Sequence, residues 1–540
     1  MDFWNGREFL THTDLVLPGL VGIEIRRSYD SQAKYDSALG YGWAIGYFMR
    51  LYEYADGSVI LRRDCGVRRP FLLVGGAYQT PVGETGTLVK NADGSWTYLE
   101  LSGERKEFDS QGRLAALVTR FGPRLAFSYD SRGKLPLIGL SPYAVDSTPK
   151  EIAREHRLLR VDEQDSTGSP TGRWVAFTYD EATGRLTALS DSATRTVGYQ
   201  HDSLGNLSRV DLPENGVLSY LYEDPKDPHN ATTLTDSACP SCSGGAYHNV
   251  YDAQDRVTRQ EHGTDVIRIS YDVPFVQTSV TEDVSDDQGT LLRSGTTVWE
   301  FNELGNPMRV TDALGHQRIY TRDPQMNMTR YELWENQGTP PSPNRVLRYV
   351  EQRTYTAQGQ PESVTEAVGT PDVRTTSYAY NAVTNRLQTT TVKSVVNAAQ
   401  NKVTRLDETG TTETLTETGR LGSGTPYSYV TTTIRNGSGQ GVRVDGPRTD
   451  VSDVTTFTYD GPNLATVTQP LVGTTTYASY TATGQPQTVT DPNGVATTYT
   501  YDSLGRVRTM TIAGDTTTYT YTPTGKIETV TLPRLNTITH

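Results

Sequence analysis

Polar and aromatic residues alternate most clearly near the end of the chain. In residues 498–501 threonine and tyrosine take turns, which is the two-residue period of a half-buried strand. Asp502 follows where its carboxylate can bond the backbone of a turn, and Gly505 supplies the positive-φ residue that closes a longer hairpin loop with a bulge. Residues 506–512 have the pattern of the return strand. The sequence here predicts a two-stranded unit joined by an Asp-x-x-Gly turn.

This unit recurs at a nearly fixed spacing. The turn glycines Gly484, Gly505 and Gly525 lie 21 and 20 residues apart. Asp255 and Asn385 replace the glycine in two copies, and both residue types tolerate a positive φ better than most. Further copies begin at Phe108, Tyr129, Tyr179, His201, Tyr251, Phe301, Tyr355, Tyr380, Tyr459, Tyr480 and Tyr521. A fixed period of this size predicts an array in which each unit buries its face against its neighbours.

The repeated Tyr-Asp-x-x-Gly motif resembles the repeats of the Rhs/YD-repeat family, from about residue 100 to the end of the chain. The resemblance implies an all-β fold: a long, curved antiparallel sheet of about 20-residue YD hairpin repeats, an open portion of an Rhs/Tc-type β-cocoon. In that family the shell encloses a toxic C-terminal polypeptide. We expect this chain to be the N-terminal part of such a shell, without the C-terminal core and toxin region.

The first 75 residues follow a different pattern. They contain a T-D-L-x-L-P-G element at 13–19, an R-x-Y-x-S strand at 27–31, a G-x-G-W corner at 40–43 and an Asp56-Gly57 hairpin signal. This set resembles the module that opens the shell of Rhs and YD-repeat proteins. We predict a shell-opening module over residues 1–75 and a YD-repeat array over 76–540. Insertions are expected near 141–160, 222–248, 335–346 and 390–425, the first with a helical pattern at 149–159.

Composition and charge narrow the choice of partners. Hydrophobic residues make up only 35% of the 540 residues, and 32 tyrosines outnumber 11 phenylalanines, which suits a β protein with large wetted faces. The net charge of −13 argues against a nucleic-acid partner. There is no apolar run of 18 residues, so we expect no membrane span. The N-terminus lacks a signal-peptide pattern, so we expect secretion or surface display through a dedicated secretion system, and a cytoplasmic location before export.

Candidate chemistry is sparse. Cys239 and Cys242 form a C-x-x-C pair that leaves a disulfide, a zinc site and inert thiols open, while Cys65 stands alone. A zinc site would need two more ligands, for which His229 and His248 are nearest in sequence. The acidic segment 282–289 lacks the ligand spacing of a calcium loop and has the composition of a solvated turn.

Signatures of catalysis are not found in the sequence. There is no H-E-x-x-H, G-x-S-x-G or phosphate-binding glycine loop. In toxin-bearing relatives an Asp-Pro motif cleaves the chain, but Asp491-Pro492 here occupies an ordinary turn between repeats. We therefore assign no catalytic, cofactor-binding or metal-binding residue and no cofactor, and we predict that the chain is not an enzyme.

Two functions fit this sequence. The first is a structural shell protein that forms part of a hollow β-cage, with a toxin domain or a complementary shell chain as partner. The chain would then be a partial or split shell, and its last strand, near 526–532, would be an edge that needs a partner. The alternative is an extracellular carbohydrate-binding or cell-contact module, in which exposed tyrosines stack on a ligand.

Overall fold

The Tyr-Asp units fold as tight hairpins because of the residues at the turn. The N–H of Asp502 donates to the carbonyl of Arg506 over 2.9 Å, and the N–H of Gly505 donates to that of Asp502 over 3.0 Å, with Gly505 at a φ of 80°. The Asp502 carboxylate accepts two backbone N–H groups of the turn and the Nε of Arg506. The strand register slips between Thr500 and Tyr501, so the predicted bulge is present.

This computed structural model describes all residues except 34, 64–67, 131–156, 238–246, 287, 339–343, 395–397, 522–525, 534–536 and 540. The N-terminal strands are β1 Phe9–Leu17, β2 Ile23–Asp30, β3 Asp36–Ser37, β4 Gly40–Tyr41, β5 Trp43–Ile45, β6 Arg50–Glu53, β7 Val59–Arg62, β8 Arg68–Val74 and β9 Ala77–Gln79. They form three small sheets, in the orders β1-β2-β5, β3-β4 and β6-β7-β8-β9.

The remaining strands form one sheet. They are β10 Thr87–Lys90, β11 Trp96–Leu99, β12 Arg105–Phe108, β13 Leu114–Val118, β14 Arg124–Tyr129, β15 Leu158–Gln164, β16 Pro170–Tyr179, β17 Leu186–Asp191, β18 Thr196–His201, β19 Leu207–Asp211, β20 Val217–Leu221, β21 Thr233–Asp236, β22 Tyr247–Tyr251, β23 Val257–His262, β24 Asp265–Val273, β25 Gln277–Ser285, β26 Leu291–Phe301, β27 Pro307–Thr311, β28 Gln317–Arg322, β29 Met328–Asn336, β30 Arg345–Tyr355, β31 Pro361–Glu366, β32 Arg374–Tyr380, β33 Leu387–Val392, β34 Lys402–Thr409, β35 Thr412–Arg420, β36 Pro426–Arg435, β37 Gly441–Asp445, β38 Thr455–Asp460, β39 Asn463–Gln469, β40 Gly473–Tyr480, β41 Pro486–Thr490, β42 Ala496–Tyr501, β43 Val507–Ile512, β44 Asp515–Tyr521, β45 Ile527–Thr531 and β46 Thr537–Thr539.

These 37 strands pair strictly in chain order from β10 to β46, and every pair is antiparallel to its neighbour. Within the described ranges the only helices are short 3₁₀ segments at Gly46–Phe48, Pro213–Asn215 and Ala398–Gln400. The predicted all-β class and the antiparallel array of hairpin repeats are confirmed.

The ribbon of strands has two long edges made of hairpin turns. We call the edge with the Tyr-Asp turns the YD edge and the other the alternate edge. Alternate-edge turns between β13 and β20 contact YD-edge turns between β34 and β43, which lie 272 to 308 residues further along the chain. Examples are Ser166 Oγ to Ser438 Oγ at 3.5 Å and Glu214 Oε1, which accepts the N–H of Ser503 at 2.9 Å. The ribbon therefore curls until its two edges meet along a seam.

The N-terminal strands lie on the concave side of this curl. The N-terminal module contacts YD turns from Gly112, whose carbonyl accepts the N–H of Leu51, to Gly305, which packs on the ring of Trp4. Laid flat, the intervening strands would span roughly 70 Å at about 4.8 Å per strand. A body of 75 residues is only about 30 Å across, so it can reach both ends only if the ribbon bends around it.

The structure describes strands within segments for which the sequence predicts insertions. Residues 390–425 contain β34 and β35, which pair in continuous register from Val403 opposite Thr418 to Thr409 opposite Thr412. Alternating threonines keep the strand period there without a Tyr-Asp turn. The end of the expected helix is also wrong, because Leu158 and Leu159 begin β15; the rest of that segment lies outside the described residues.

Candidate functional site

The concave face carries an apolar or aromatic side chain in twelve of the hairpins, a set that we call the inner row. Each member lies two or three positions before the Tyr-Asp position and pairs with a residue on the return strand. The inner row consists of Phe127, Phe177, Tyr199, Tyr220, Ile269, Trp299, Tyr320, Tyr378, Phe457, Tyr477, Tyr499 and Tyr519. Valine is its commonest cross-strand partner, as in Phe457 opposite Val467 and Tyr519 opposite Val530. The row forms an amphipathic strip that polar residues interrupt, as Asn249 and Arg353 do at the corresponding positions of β22 and β30.

The tyrosines of the Tyr-Asp motif tie their own repeats to earlier ones. Their hydroxyls donate to the carbonyl at the start of a preceding return strand: Tyr129 to Leu114, Tyr179 to Leu158, Tyr222 to Leu207, Tyr271 to Val257, Tyr355 to Met328, Tyr380 to Pro361, Tyr459 to Gly441, Tyr480 to Leu464, Tyr501 to Pro486 and Tyr521 to Val507. Burial raises the pKa of Tyr179 and of Tyr222, which keeps both hydroxyls protonated as donors.

An arginine after the turn glycine completes this link. Arg506 donates to Asp502 and places its guanidinium 4.5 Å from the ring centroid of Tyr521 in the next repeat. Arg256 likewise lies 4.3 Å from the ring of Tyr271. Sequence reasoning missed this chain of contacts, although the recurrent basic or amide residue after the glycine was a visible signal.

In the first circuit of the curled ribbon, the N-terminal module fills the concave side. Asp14 and Arg27 form a fully buried ion pair at 2.8 Å. The hydroxyl of Tyr199 donates to Asp14 and Arg27 donates to the hydroxyl of Tyr220, so two inner-row tyrosines complete the pair. Burial alone would raise the pKa of Asp14, but Arg27 holds it below its usual value, so the carboxylate stays ionised. The guanidinium also lies 5.0 Å from the ring of Trp43.

Main-chain bonds join the module to the bulges of the YD turns. The N–H of Leu186 donates to the carbonyl of Ala38 over 2.7 Å, and that of Val257 donates to Gly6 over 2.9 Å. Both donors stand two residues after the turn glycine or its substitute, where the bulge leaves an N–H free of the ladder. Proline occupies the same position in three later repeats, at Pro307, Pro361 and Pro486. The bulge there has no N–H to satisfy.

The inner row is uncovered in the later part of the ribbon. Phe177, Tyr199 and Tyr220 are only 3–5% exposed, whereas Tyr499 and Tyr519 are half-buried. Among the described residues, no apolar side chain after Val350 belongs to the buried core. The later half of the ribbon therefore presents a wetted aromatic strip on its concave face.

Ion pairs accompany that strip. They join Glu366 with Arg374 at 2.6 Å and Lys402 with Glu417 at 2.8 Å. Tyr427 also donates to Glu417 and stacks on Tyr429 with centroids 4.7 Å apart. Such partly exposed pairs contribute little stability, but they keep this face polar between its rings.

The residues considered for metal chemistry have other roles or lie outside the described residues, as Cys65, Cys239 and Cys242 do. His229 Nδ1 lies 2.7 Å from Asn206 Oδ1, and His248 Nδ1 lies 2.9 Å from the hydroxyl of Thr233. The two histidines thus form separate structural contacts. In the part of the chain that is described, no group of three or more His, Cys, Asp or Glu residues has the geometry of a metal site.

The acidic segment and the Asp-Pro pair both form turns. Asp286 accepts the N–H groups of Gln288 and Thr290, and Asp283 accepts the hydroxyl of Ser294. Asp491 accepts the N–H groups of Asn493 and Val495. Among the described residues, no helix is long and apolar enough to span a membrane.

Solved structures match nearly the whole chain at low identity and low TM-score. The crystal structure of a TcdB2–TccC3–Cdc42 complex matches 97% of this chain and 31% of its own, with 12% identity and a TM-score of 0.36. A Photorhabdus luminescens Tc holotoxin pore carrying a TccC3 mutation matches 97% and 30%, with 12% identity and a TM-score of 0.33. The chain thus spans about a third of these structures' chains. The comparison with curated proteins gives no match.

Family models match three segments of the chain. A domain of unknown function, DUF6531, matches residues 1–71. The RHS repeat model matches residues 179–217 and 480–514. Both RHS matches cover strands built on the Tyr-Asp hairpin, and this hairpin recurs between them except at turns such as the one that joins β34 and β35. The chain therefore carries RHS repeats, and its Tyr-Asp hairpins are of that repeat type.

Proposed function

We propose that this chain forms part of the wall of a hollow β-shell that encloses a polypeptide. The supporting observation is a change in burial along the inner row. The N-terminal module covers the row in the first circuit of the curled ribbon, and the row is half-exposed from Trp299 onward. A toxin domain is the proposed guest and a complementary shell chain is a proposed wall partner. Release would use a dedicated secretion system.

The chemistry of the later concave face suits an extended polypeptide guest. On this face aromatic rings and valines alternate with ion pairs whose two members neutralise each other. The face therefore offers apolar contact and does not impose one fixed binding geometry on a guest. The outer face differs, because cross-strand threonines bond each other, as in Thr500 with Thr509 and Thr520 with Thr529. The role needs no reacting group, and we propose that the chain is not catalytic.

A photo-crosslinking experiment tests this proposal. The chain is co-expressed with the products of neighbouring genes, and a photoreactive group is attached through Tyr499→Cys or, as the matched control, Thr498→Cys on the opposite face. We expect crosslinks from position 499 but not from position 498. The crosslinked partner should be a co-purifying polypeptide that resists trypsin until the complex is denatured. Equal crosslinking from both positions, or no associated polypeptide, would contradict enclosure.

Carbohydrate binding is the second candidate. Tyr427 and Tyr429 stack and Tyr429 is 44% exposed, which provides an aromatic platform. Glycan-array binding that the double change Tyr427→Ala and Tyr429→Ala abolishes would favour this function. The control change Tyr477→Ala, at a half-buried inner-row position, should then leave binding unchanged.

A further inference from the structure

The YD turns present a backbone N–H that the strand ladder does not use. In the repeat at Asp502 this N–H belongs to Val507, the residue opposite the Tyr-Asp tyrosine. The N–H of Asp502 bonds the carbonyl of Arg506, and antiparallel pairs alternate, so the next pair, which contains Val507, is not hydrogen-bonded. Pairing of β43 with the following strand begins at Thr509 and does not reach Val507. We call the N–H at this position the bulge amide.

In the first circuit of the ribbon, bulge amides hold the backbone of the N-terminal module. The bulge amide of Leu186 donates to the carbonyl of Ala38 over 2.7 Å, and that of Val257 donates to a module carbonyl over 2.9 Å. A Cβ added at Gly40 would lie 2.9 Å from the bulge nitrogen of Leu207, so the module's main chain approaches this position closely as well. The bulge amide is therefore a docking point for main-chain groups that lie on the concave side.

Later repeats divide into those that have lost this donor and those that keep it. Three repeats have a proline at the position and so no N–H: Pro307, Pro361 and Pro486. Leu464 and Val507 keep the N–H, and the ladder beyond Leu464 likewise begins two residues later, at Thr466. The carbonyls of both residues accept a tyrosine hydroxyl from the next repeat, which satisfies the carbonyl but not the N–H. Both residues are half-buried.

We propose that the bulge amides of Leu464 and Val507 dock main-chain carbonyls of an enclosed polypeptide. The inference rests on the proposed shell function and states how the wall holds its guest. The occupant is inferred from the first circuit, where carbonyls of a polypeptide on the concave side bond to the equivalent amides. The half-exposed rings of Tyr499 and Tyr519 lie on the two strands beside Val507 and offer apolar contact to the same segment. Every residue has a carbonyl, so this docking does not depend on the guest's sequence.

Proline substitution tests the proposal, because it removes the donor by a change that Pro486, on the strand midway between the two sites, already accommodates. In the co-expressed complex, Leu464→Pro with Val507→Pro is compared with Leu464→Ala with Val507→Ala, which shortens the side chains but keeps both N–H groups. The rate at which trypsin digests the enclosed polypeptide in mild urea is measured. The proline pair should release the guest faster than the alanine pair, by roughly five-fold for each hydrogen bond lost.

Hydrogen exchange of the unchanged protein decides the question even if the proline variants fold poorly. Val257 and Val507 both follow an arginine, so their amides have matched intrinsic exchange rates. In the chain expressed alone, the Val507 amide should exchange faster than that of Val257, and the enclosed polypeptide should slow it by roughly five-fold or more.

Two results would overturn the docking mode while leaving enclosure intact. One is a Val507 amide that exchanges equally fast with and without the guest. The other is equal release of the guest from folded proline and alanine variants. If no polypeptide is enclosed, the crosslinks from position 499 fail too, and the shell function and the docking mode are both rejected.

Discussion

At the scale of single residues, the Tyr-Asp tyrosine stabilises the array through its hydroxyl. Tyr501 donates to the carbonyl of Pro486 over 2.7 Å, whereas Tyr499, two residues earlier on the same strand, has no hydroxyl partner among the described residues. Tyr501→Phe should therefore lower the free energy of unfolding of this region by about 1 kcal/mol. Tyr499→Phe is the matched control and should change it by much less. Hydrogen exchange of the β41–β43 amides measures both.

The free energy of unfolding should depend on pH through the buried carboxyl group of Glu8. Burial raises its pKa to about 7, against the lowering effects of the amino terminus and Asn249. Tyr247 and Tyr251 face the same carboxylate. The folded chain binds the proton of Glu8 more readily than the unfolded chain does. Protonation of Glu8 therefore adds to the free energy of unfolding. This stabilisation is fully present below about pH 4.5 and is lost as the pH rises through about 7. The loss is about 3 kcal/mol at most.

Urea unfolding of the N-terminal module at pH 4, 6 and 8 measures this effect. Glu8→Gln mimics the protonated side chain, so the variant should match the unchanged chain at pH 4 and exceed its stability at pH 8. Glu303→Gln, on an exposed turn, serves as the control and should follow the unchanged chain at every pH. A Glu8→Gln variant with the original pH dependence would show that another group titrates.

At the scale of elements, the sequence predicts the hairpins well because their determinants are local. The alternation of threonine and tyrosine fixes the strand period, and Asp502 with Gly505 fixes the turn. The N–H donors of Leu186 and Val257 were not predictable, since their acceptors Ala38 and Gly6 lie far away in sequence. Residues 390–425 were expected to be an insertion because their strands lack the Tyr-Asp turn.

Substitution of two glycines can separate the free-energy cost of a strained turn backbone from the cost of a clash with the N-terminal module. Gly112 has a φ of 75°, and a Cβ added there would lie 2.2 Å from the carbonyl oxygen of Leu51. Gly494 has a φ of 83° with nothing within 4 Å of an added Cβ. Gly494→Ala should cost about 1 kcal/mol through its backbone conformation alone. Gly112→Ala should cost clearly more, because the backbone of Leu51 must move.

Thermal unfolding followed by tryptophan fluorescence can compare the two variants. The expected difference is a larger fall in transition temperature for Gly112→Ala, together with faster proteolysis of the segment around Leu51. Equal effects would mean that the module does not rest on the first YD turns as described.

At the scale of the whole molecule, the curl is the feature that local patterns could not supply. The evidence for the curl is a set of polar contacts between the two edges of the ribbon. Examples are Arg173 Nη2 with Asn463 Oδ1 at 2.8 Å and Arg195 with the carbonyl of Ser503 at 3.2 Å. No repeat period encodes which turns meet. The contact depends on accumulated sheet twist and on the N-terminal module that the ribbon surrounds.

A disulfide across the seam tests the curl directly. The Oγ atoms of Ser166 and Ser438 are 3.5 Å apart, so Ser166→Cys with Ser438→Cys, in a background where the three native cysteines are serine, should crosslink under mild oxidation. Ser166→Cys with Ser503→Cys is the control and should not, because Ser503 meets Glu214 at another point of the seam. Non-reducing electrophoresis of the full chain reports both.

Salt dependence of that crosslink then identifies what holds the seam together. Arg120 pairs with Glu408 at 2.7 Å and with Glu413, and Phe121 packs on Gly439 beside them. These ion pairs are only partly buried, so about 1 M salt, with a Debye length near 3 Å, should weaken them and slow the crosslinking. The backbone ladder within the ribbon is insensitive to salt, so its amide protection should not change. Crosslinking that is indifferent to salt would assign the seam to apolar contacts such as Phe121 instead.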